Sequence, residues 1–365
     1  MKKTGIKRAT WLRRRQRVTI LNLLRTAGKS KHYRTLTGLQ LSKSKPVVAI
    51  QFPASLIAET EEHREAILSK LFFAVDALTA GNSVRFDFTR TRKAYPGGML
   101  VVLAYVELML EMFPGKVSAI SPPGTLITQL LQHFGFAERL SMICRGTTPV
   151  HESVVNWRFL TGSQADGPKI TELLSVYKTV SDAEIPEGLY DVLAEALTNV
   201  RHHAYPEGNS QTPESLRRWW LFSRYEVPEA SRPGRLYLAV YDIGVGIQAS
   251  LRNKLSTGEI VLDKADSLLR ILKLEDNLII ERLLLKRAVE ELRTSTGLSN
   301  RGKGLPEMRE FVMGTDSGRM YIISGRGQYT CVASEQNSDA FGCKIRFPGT
   351  LILWSIPLGI KLKES

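Results

Sequence analysis

Cysteine is scarce in this chain. Only Cys144, Cys331 and Cys343 occur in 365 residues, with no CxxC spacing. That argues against a disulfide framework and against a zinc site. Long apolar runs are missing as well. The stretch Met99–Leu110 is interrupted by Glu107 and falls short of the roughly 20 apolar residues that a membrane helix needs. No apolar segment with a small-residue cleavage site follows the basic N-terminus, so the expectation is a cytoplasmic protein with no membrane span. There is no GxxxxGK[ST] string, which excludes a P-loop. Internal repeats and low-complexity tracts are also lacking. Acid is absent from the start of the chain: the first Asp or Glu is Glu59.

What is present suits about two folded domains. The chain is 43% hydrophobic and 24% charged, a balance that excludes a mostly disordered protein. The net charge of +14 is localised. Residues 1–45 hold 14 Lys or Arg and no acid, and the remaining residues carry 36 basic and 36 acidic side chains. Within that arm, Arg13, Arg14, Arg15 and Arg17 stand beside Trp11, ahead of the apolar Val18–Leu24. A single-sign block of this kind is either a solubilising tail or a contact for a polyanion such as nucleic acid.

Residues 46–143 alternate strand and helix. Val47–Phe52, Val84–Phe88 and Lys116–Ile120 read as strands. Ala58–Leu78, Met99–Met112 and Thr125–Phe134 read as helices, the last closed by Gly135. The order implies a small sheet covered by helices. Phe86-Asp87-Phe88-Thr89 through Gly97-Gly98, with the late Gly135-Phe136, resembles the STAS-like fold of anti-sigma-factor antagonists. Phosphorylatable members of that family carry an Asp-Ser pair where this chain has Ala94-Tyr95-Pro96-Gly97. The resemblance therefore implies a binding domain that is not switched by phosphorylation at that point. Residues 144–185 read as a connector with one or two helices and a loop at Gly162–Pro168.

Three motifs follow in the region 186–365. The helix Leu189–Ala204 has a core-facing stripe at Leu189, Val192, Leu193, Ala196, Leu197 and Val200. Glu195 and Asn199 lie one turn apart and so share another face. An Asn carbonyl suits a hard cation beside phosphates, and a carboxylate one turn earlier suits a general base. Alone, the pair would read as a solvated polar face. The strand Leu236–Tyr241 then runs into Asp242-Ile243-Gly244-Val245-Gly246, which alone would be an ordinary strand-turn. Last comes Gly297-Leu298-Ser299-Asn300-Arg301-Gly302-Lys303-Gly304-Leu305, whose amides and cation could cradle phosphate, with Pro306 at a helix start. Alone it would be a surface loop.

In this order, ExxxN, DxGxG and a GxGxG-like loop, the motifs resemble the asparagine box and two glycine boxes of the GHKL (Bergerat-fold) ATP-binding family. The string Glu195-Ala-Leu-Thr-Asn199-Val-Arg-His-His203-Ala204-Tyr205 is most similar to the anti-sigma-kinase branch. The resemblance implies an α/β sandwich, a helical layer on a mixed sheet. It assigns Asn199 to Mg²⁺, Asp242 and Thr350 to adenine, and Gly244, Gly246, Gly302 and Gly304 to the pocket and phosphate loop. Arg301, Lys303 and His203 become phosphate contacts, Glu195 the general base, and residues 248–296 a long lid, in which Asp263–Leu274 and Asn277–Leu292 read as helical stretches. His202 and His203 point about 100° apart on a helix and do not share a metal; His63, His133 and His151 look incidental.

The expected function is a Mg²⁺-ATP-binding regulatory protein, a slow ATPase (a hydrolase) whose lid gates a partner. The alternatives are a serine/threonine kinase of the anti-sigma kind and a non-catalytic nucleotide-binding adaptor recruited to nucleic acid by residues 1–45. A protein partner and a second copy of the chain are the other expected contacts. A two-component histidine kinase is disfavoured, because no transmembrane sensor and no long acceptor-His helices precede Ile185.

Overall fold

The computed structural model describes residues 47–142, 152–181, 183–206, 217–229, 233–256, 278–290 and 304–360. The basic arm, residues 1–45, lies outside them. The described residues form two compact units divided after Val155.

The first unit is built by strand-helix alternation. Strand β1 (Val47–Gln51) and the two-residue β2 (Ser55–Leu56) precede helix α1 (Glu61–Thr79), which starts with Glu61 and Glu62 at its positive end. Then come β3 (Ser83–Asp87), the short β4 (Lys93–Ala94), α2 (Pro96–Met112) and β5 (Val117–Ile120). Helices α3 (Leu126–His133), α4 (Phe136–Arg139) and α5 (Glu152–Val155) close the unit. The sheet order is β1-β3-β5, all parallel, so α1 and α2 are crossovers between neighbouring strands. Helix α2 is apolar on every side and is buried on every side. Gly98 lets it approach the Leu56 carbonyl so closely that a Cβ would collide. Its Glu107 reaches Arg139 at 3.7 Å. The three strands and three main helices stand where apolar periodicity predicts them, and Pro96 occupies the first turn of α2.

The second unit begins earlier than the sequence suggests. Within the expected connector 144–185, Trp157–Gly162 is a sheet strand, β6, and Gly167–Ser181 is a helix, α6, with Ile170, Leu173, Leu174 and Tyr177 in the core. The two-residue β7 (Ala183–Glu184) pairs with the end of the last strand. Next come α7 (Leu189–Asn199), continued by a π-helical turn over Val200–Ala204, then β8 (Trp219–Glu226), β9 (Gly234–Asp242), α8 (Ile247–Ser256), α9 (Leu278–Glu290), α10 (Gly304–Met313), β10 (Arg319–Val332) and β11 (Asn337–Ile360).

The sheet order is β10-β11-β9-β8-β6, and every neighbouring pair is antiparallel. This corrects the expected mixed sheet. The reversals β8-β9 and β10-β11 are short, and a short connection can only return a strand antiparallel. One face of the sheet packs on α6, α7, α9 and α10 through alternate residues such as Leu221, Val240, Ile352 and Ile322, which are register neighbours. The opposite row, Trp220, Tyr241, Leu351 and Ile323, is buried too. Of the expected lid 248–296, residues 257–277 and 291–296 lie outside the described residues. Helix α9, inside 248–296, buries Ile280, Leu284, Leu285, Ala288 and Val289, so it belongs to the body of the unit. An element with that much apolar burial opens only at high cost.

Candidate functional site

Antiparallel register builds the centre of the site. Asp242 ends β9, pairs with Trp219 on β8 and with Thr350 on β11, and Thr350 pairs with Ser324 on β10. The four residues form one rung across four strands. Two-residue alternation puts that rung on the same face as Val240, Leu221 and Ile352, the face that carries the helices. Asp242, Thr350 and Ser324 thus make a polar end to an apolar layer, and all three are buried.

The Asp242 carboxylate accepts a hydrogen bond from Gly244 N at 2.8 Å and another from the Thr350 backbone N–H. These bonds favour the charged form, but burial outweighs them and pushes the carboxyl up to about 7. Glycine is required around it for two reasons. Gly349 (φ 76°) sits against the Asp242 carbonyl with no room for a side chain, and Gly246 (φ 85°) sits against Ser324 Oγ.

The loop after β9 closes onto the end of α7. A Cβ on Gly244 would run into the Ala204 carbonyl, and Val245 N donates to that carbonyl at 2.9 Å. Ala204 ends the π-helical turn, a feature that often marks a functional site because it re-aims the side chains of one turn. Tyr205, the next residue, accepts from Ile243 N at 3.2 Å and donates to the Arg218 carbonyl at 2.9 Å. Burial holds its phenol protonated well above the usual range.

Glu195 and Asn199 occupy the last turns of α7, about 13 Å and about 7 Å along the helix from Ala204. Glu195 is half-buried against the start of α10, where a Cβ on Gly304 would strike its carboxylate. Burial and the nearby Glu307 carboxylate raise its pKa, while the Asn199 amide lowers it. Asn199 leans on that carboxylate without a well-formed hydrogen bond: its Nδ2 is buried and unpartnered. Oxygen donors of this kind, two carboxylates and an amide, suit a hard cation. Among the described residues no three His, Cys, Asp or Glu converge, so a cation there needs most of its ligands from elsewhere.

His203 Nε2 lies 3.0 Å from Lys254 Nζ on α8. Burial first, then the Lys254 charge and His202, push the imidazole down to about 4. It is neutral at physiological pH, and its Nε2 can accept a hydrogen bond from the Lys254 ammonium. Arg301, Gly302 and Lys303 lie outside the described residues. Of the second glycine box, Gly304 is described, and it meets Glu195.

The structure therefore brings together Asp242, Gly244, Gly246 and Thr350 at one end, and Glu195, Asn199 and Gly304 at the other, joined by the π-helical turn that carries His203. It adds residues that the sequence reading did not single out. Ser324 and Gln248 hold the Gly246 loop: Ile247 N donates to Ser324 Oγ at 2.9 Å, and Gln248 Nε2 donates to the Ser324 carbonyl at 2.7 Å. Glu281 on α9, fully buried, pairs with Arg252 at 2.6 Å and Arg346 at 3.6 Å and accepts from Arg326 N at 3.3 Å. Glu307 and Lys254 complete the group. Gln248 stands two residues after Gly246, a proximity the sequence offered; the others are joined only by packing. Compared with known protein families, with curated proteins and with solved structures, the chain matches none.

Proposed function

We propose that the second unit binds Mg²⁺-ATP and hydrolyses it slowly. The observation that carries this reading is the meeting of three motifs that lie far apart in sequence. Asp242 pairs with Thr350, the Gly244 loop packs on the turn ending the Glu195/Asn199 helix, and Gly304 packs on Glu195. A buried carboxyl kept near neutrality by desolvation is costly in a structural role and useful in a binding one. The adenine amino group would donate to Asp242 beside Thr350. Asn199 would hold Mg²⁺ through its carbonyl oxygen, with phosphate oxygens and water filling the other positions, and its buried Nδ2 would donate to a phosphate oxygen. The metal would neutralise phosphate charge. Glu195, half-buried with a raised pKa, would orient a water and take its proton.

The regulatory part of the reading, in which nucleotide changes the chain's contact with a protein partner, rests on the STAS-like resemblance of the first unit. The test starts with titration of the full chain with ATP in the presence and absence of Mg²⁺, followed by incubation with γ-labelled ATP, alone and with cell lysate. Released phosphate supports hydrolysis. Label on a protein supports the kinase reading instead, and binding without either supports an adaptor. No saturable binding of ATP by a folded chain refutes the proposal.

A further inference from the structure

Ser324 is a residue for which neither the motifs nor the proposed chemistry has a use, yet it is wholly buried and its hydroxyl makes three contacts. It accepts from Ile247 N at 2.9 Å, donates to the Gly349 carbonyl at 3.1 Å and lies 3.2 Å from Thr350 Oγ1. A serine hydroxyl has one hydrogen and two lone pairs. The hydrogen is committed to the Gly349 carbonyl and one lone pair to Ile247 N–H. The hydroxyl pair Ser324–Thr350 allows either atom as donor by distance alone, but the Gly349 carbonyl can only accept, and giving it the Ser324 hydrogen leaves Thr350 as the donor of the pair. With its only side-chain proton spent on Ser324, Thr350 keeps lone pairs alone for anything bound beside it.

We infer that Ser324 is a positioning residue that turns the Asp242–Thr350 rung into an acceptor-only edge, and so selects a ring bearing an exocyclic amino group over one bearing a carbonyl. This rests on the proposal that the rung receives a nucleotide base. An amino group donates to such an edge. A carbonyl in the same place sets lone pair against lone pair, and a buried polar group left unpaired is where discrimination is largest. Without the Ser324 hydroxyl, the Thr350 hydroxyl rotates and donates to a carbonyl.

The test measures the affinities of the full chain for ATP and for inosine triphosphate, which carries a carbonyl in place of the amino group. It is run at pH 8, where Asp242 is ionised and cannot itself donate to the carbonyl. The wild type is expected to prefer ATP by at least about tenfold, one hydrogen bond's worth. Ser324→Ala is expected to reduce that ratio by about tenfold, and a general loosening would weaken both ligands alike and leave the ratio unchanged. In a Thr350→Val background, Ser324→Ala is expected to have no further effect on the ratio, because the two residues act through one hydroxyl. An unchanged ratio in Ser324→Ala, or the same Ser324→Ala effect in the Thr350→Val background, overturns the inference while leaving ATP binding standing. If Ser324→Ala does not fold, Thr350→Val alone decides: a ratio equal to the wild type's overturns it. Failure of the wild type to bind ATP at all overturns the underlying proposal instead.

Discussion

Replacing Asp242 with Asn should stabilise the fold at alkaline pH while abolishing nucleotide binding. Asp242 is 4% exposed, and its carboxyl is raised to about 7 from an ordinary value near 3.8. The sign follows from proton counting. Between these two values the native state holds the proton and the unfolded chain has lost it, so stability falls as pH rises from about 4 to about 7. At pH 8 the full penalty applies, about 4 kcal/mol for three pKa units. Asparagine removes that penalty. It also offers one oxygen where the carboxylate offers two to the Gly244 and Thr350 amides, at a cost of about 1–2 kcal/mol. The net gain at pH 8 is about 2–3 kcal/mol, or roughly 5–10 °C in melting temperature for a unit of this size. The assay is a pair of melts, wild type and Asp242→Asn, at pH 5.5 and pH 8. The variant's advantage should grow by about 2 kcal/mol between them, because other titrating groups cancel in the difference. A difference that does not change with pH would refute the idea that this carboxyl is held near neutrality. At pH 8 the variant's NH₂ group would face a ring amino group donor to donor, so ATP binding should be lost even as the fold becomes more robust.

Glu195→Gln keeps the shape at the start of α10 and removes the base, so ATP binding should persist while turnover falls by roughly 10²-fold or more; full turnover in the variant reassigns the base. Glu281→Ala leaves Arg252 and Arg346 beside an empty buried site. It should cost about 3 kcal/mol in urea unfolding, at the low end for a buried pair because both arginines are partly exposed; a change below 1 kcal/mol would show that α9 is not pinned through this carboxylate. Removing residues 1–35 should abolish salt-sensitive binding to DNA or RNA and leave ATP affinity unchanged, because the rest of the chain carries balanced charge. An intact chain that binds no nucleic acid even at low salt would make the arm a docking or solubilising tail.

Local pattern determined much of this protein. Local apolar pattern placed the three sheet strands and the three main helices of the first unit, because their burial shows in their own residues, while the short β2, β4, α4 and α5 carry too few residues to show one. Spacing likewise put Glu195 and Asn199 on one helical face and ended β9 at Asp242, since both depend only on the geometry of one element. The strand Trp157–Gly162 escaped notice because it is an edge strand, paired only with β8 and mostly half-exposed, so it lacks the alternation of an inner strand. The helix over 278–290 was legible as a helix, but its burial was not, since burial is decided by what packs on it. Strand direction is invisible to a two-residue period, so nothing in the residues themselves opposed the mixed sheet that the family resemblance implied where an antiparallel one forms. The rung Trp219–Asp242–Thr350–Ser324 joins residues up to 131 positions apart. Only the long-range pairing of four strands sets that register, and a slip of one residue would turn Thr350 and Ser324 to the opposite face. The sequence therefore determined which groups are chemically capable; tertiary pairing decided which of them meet.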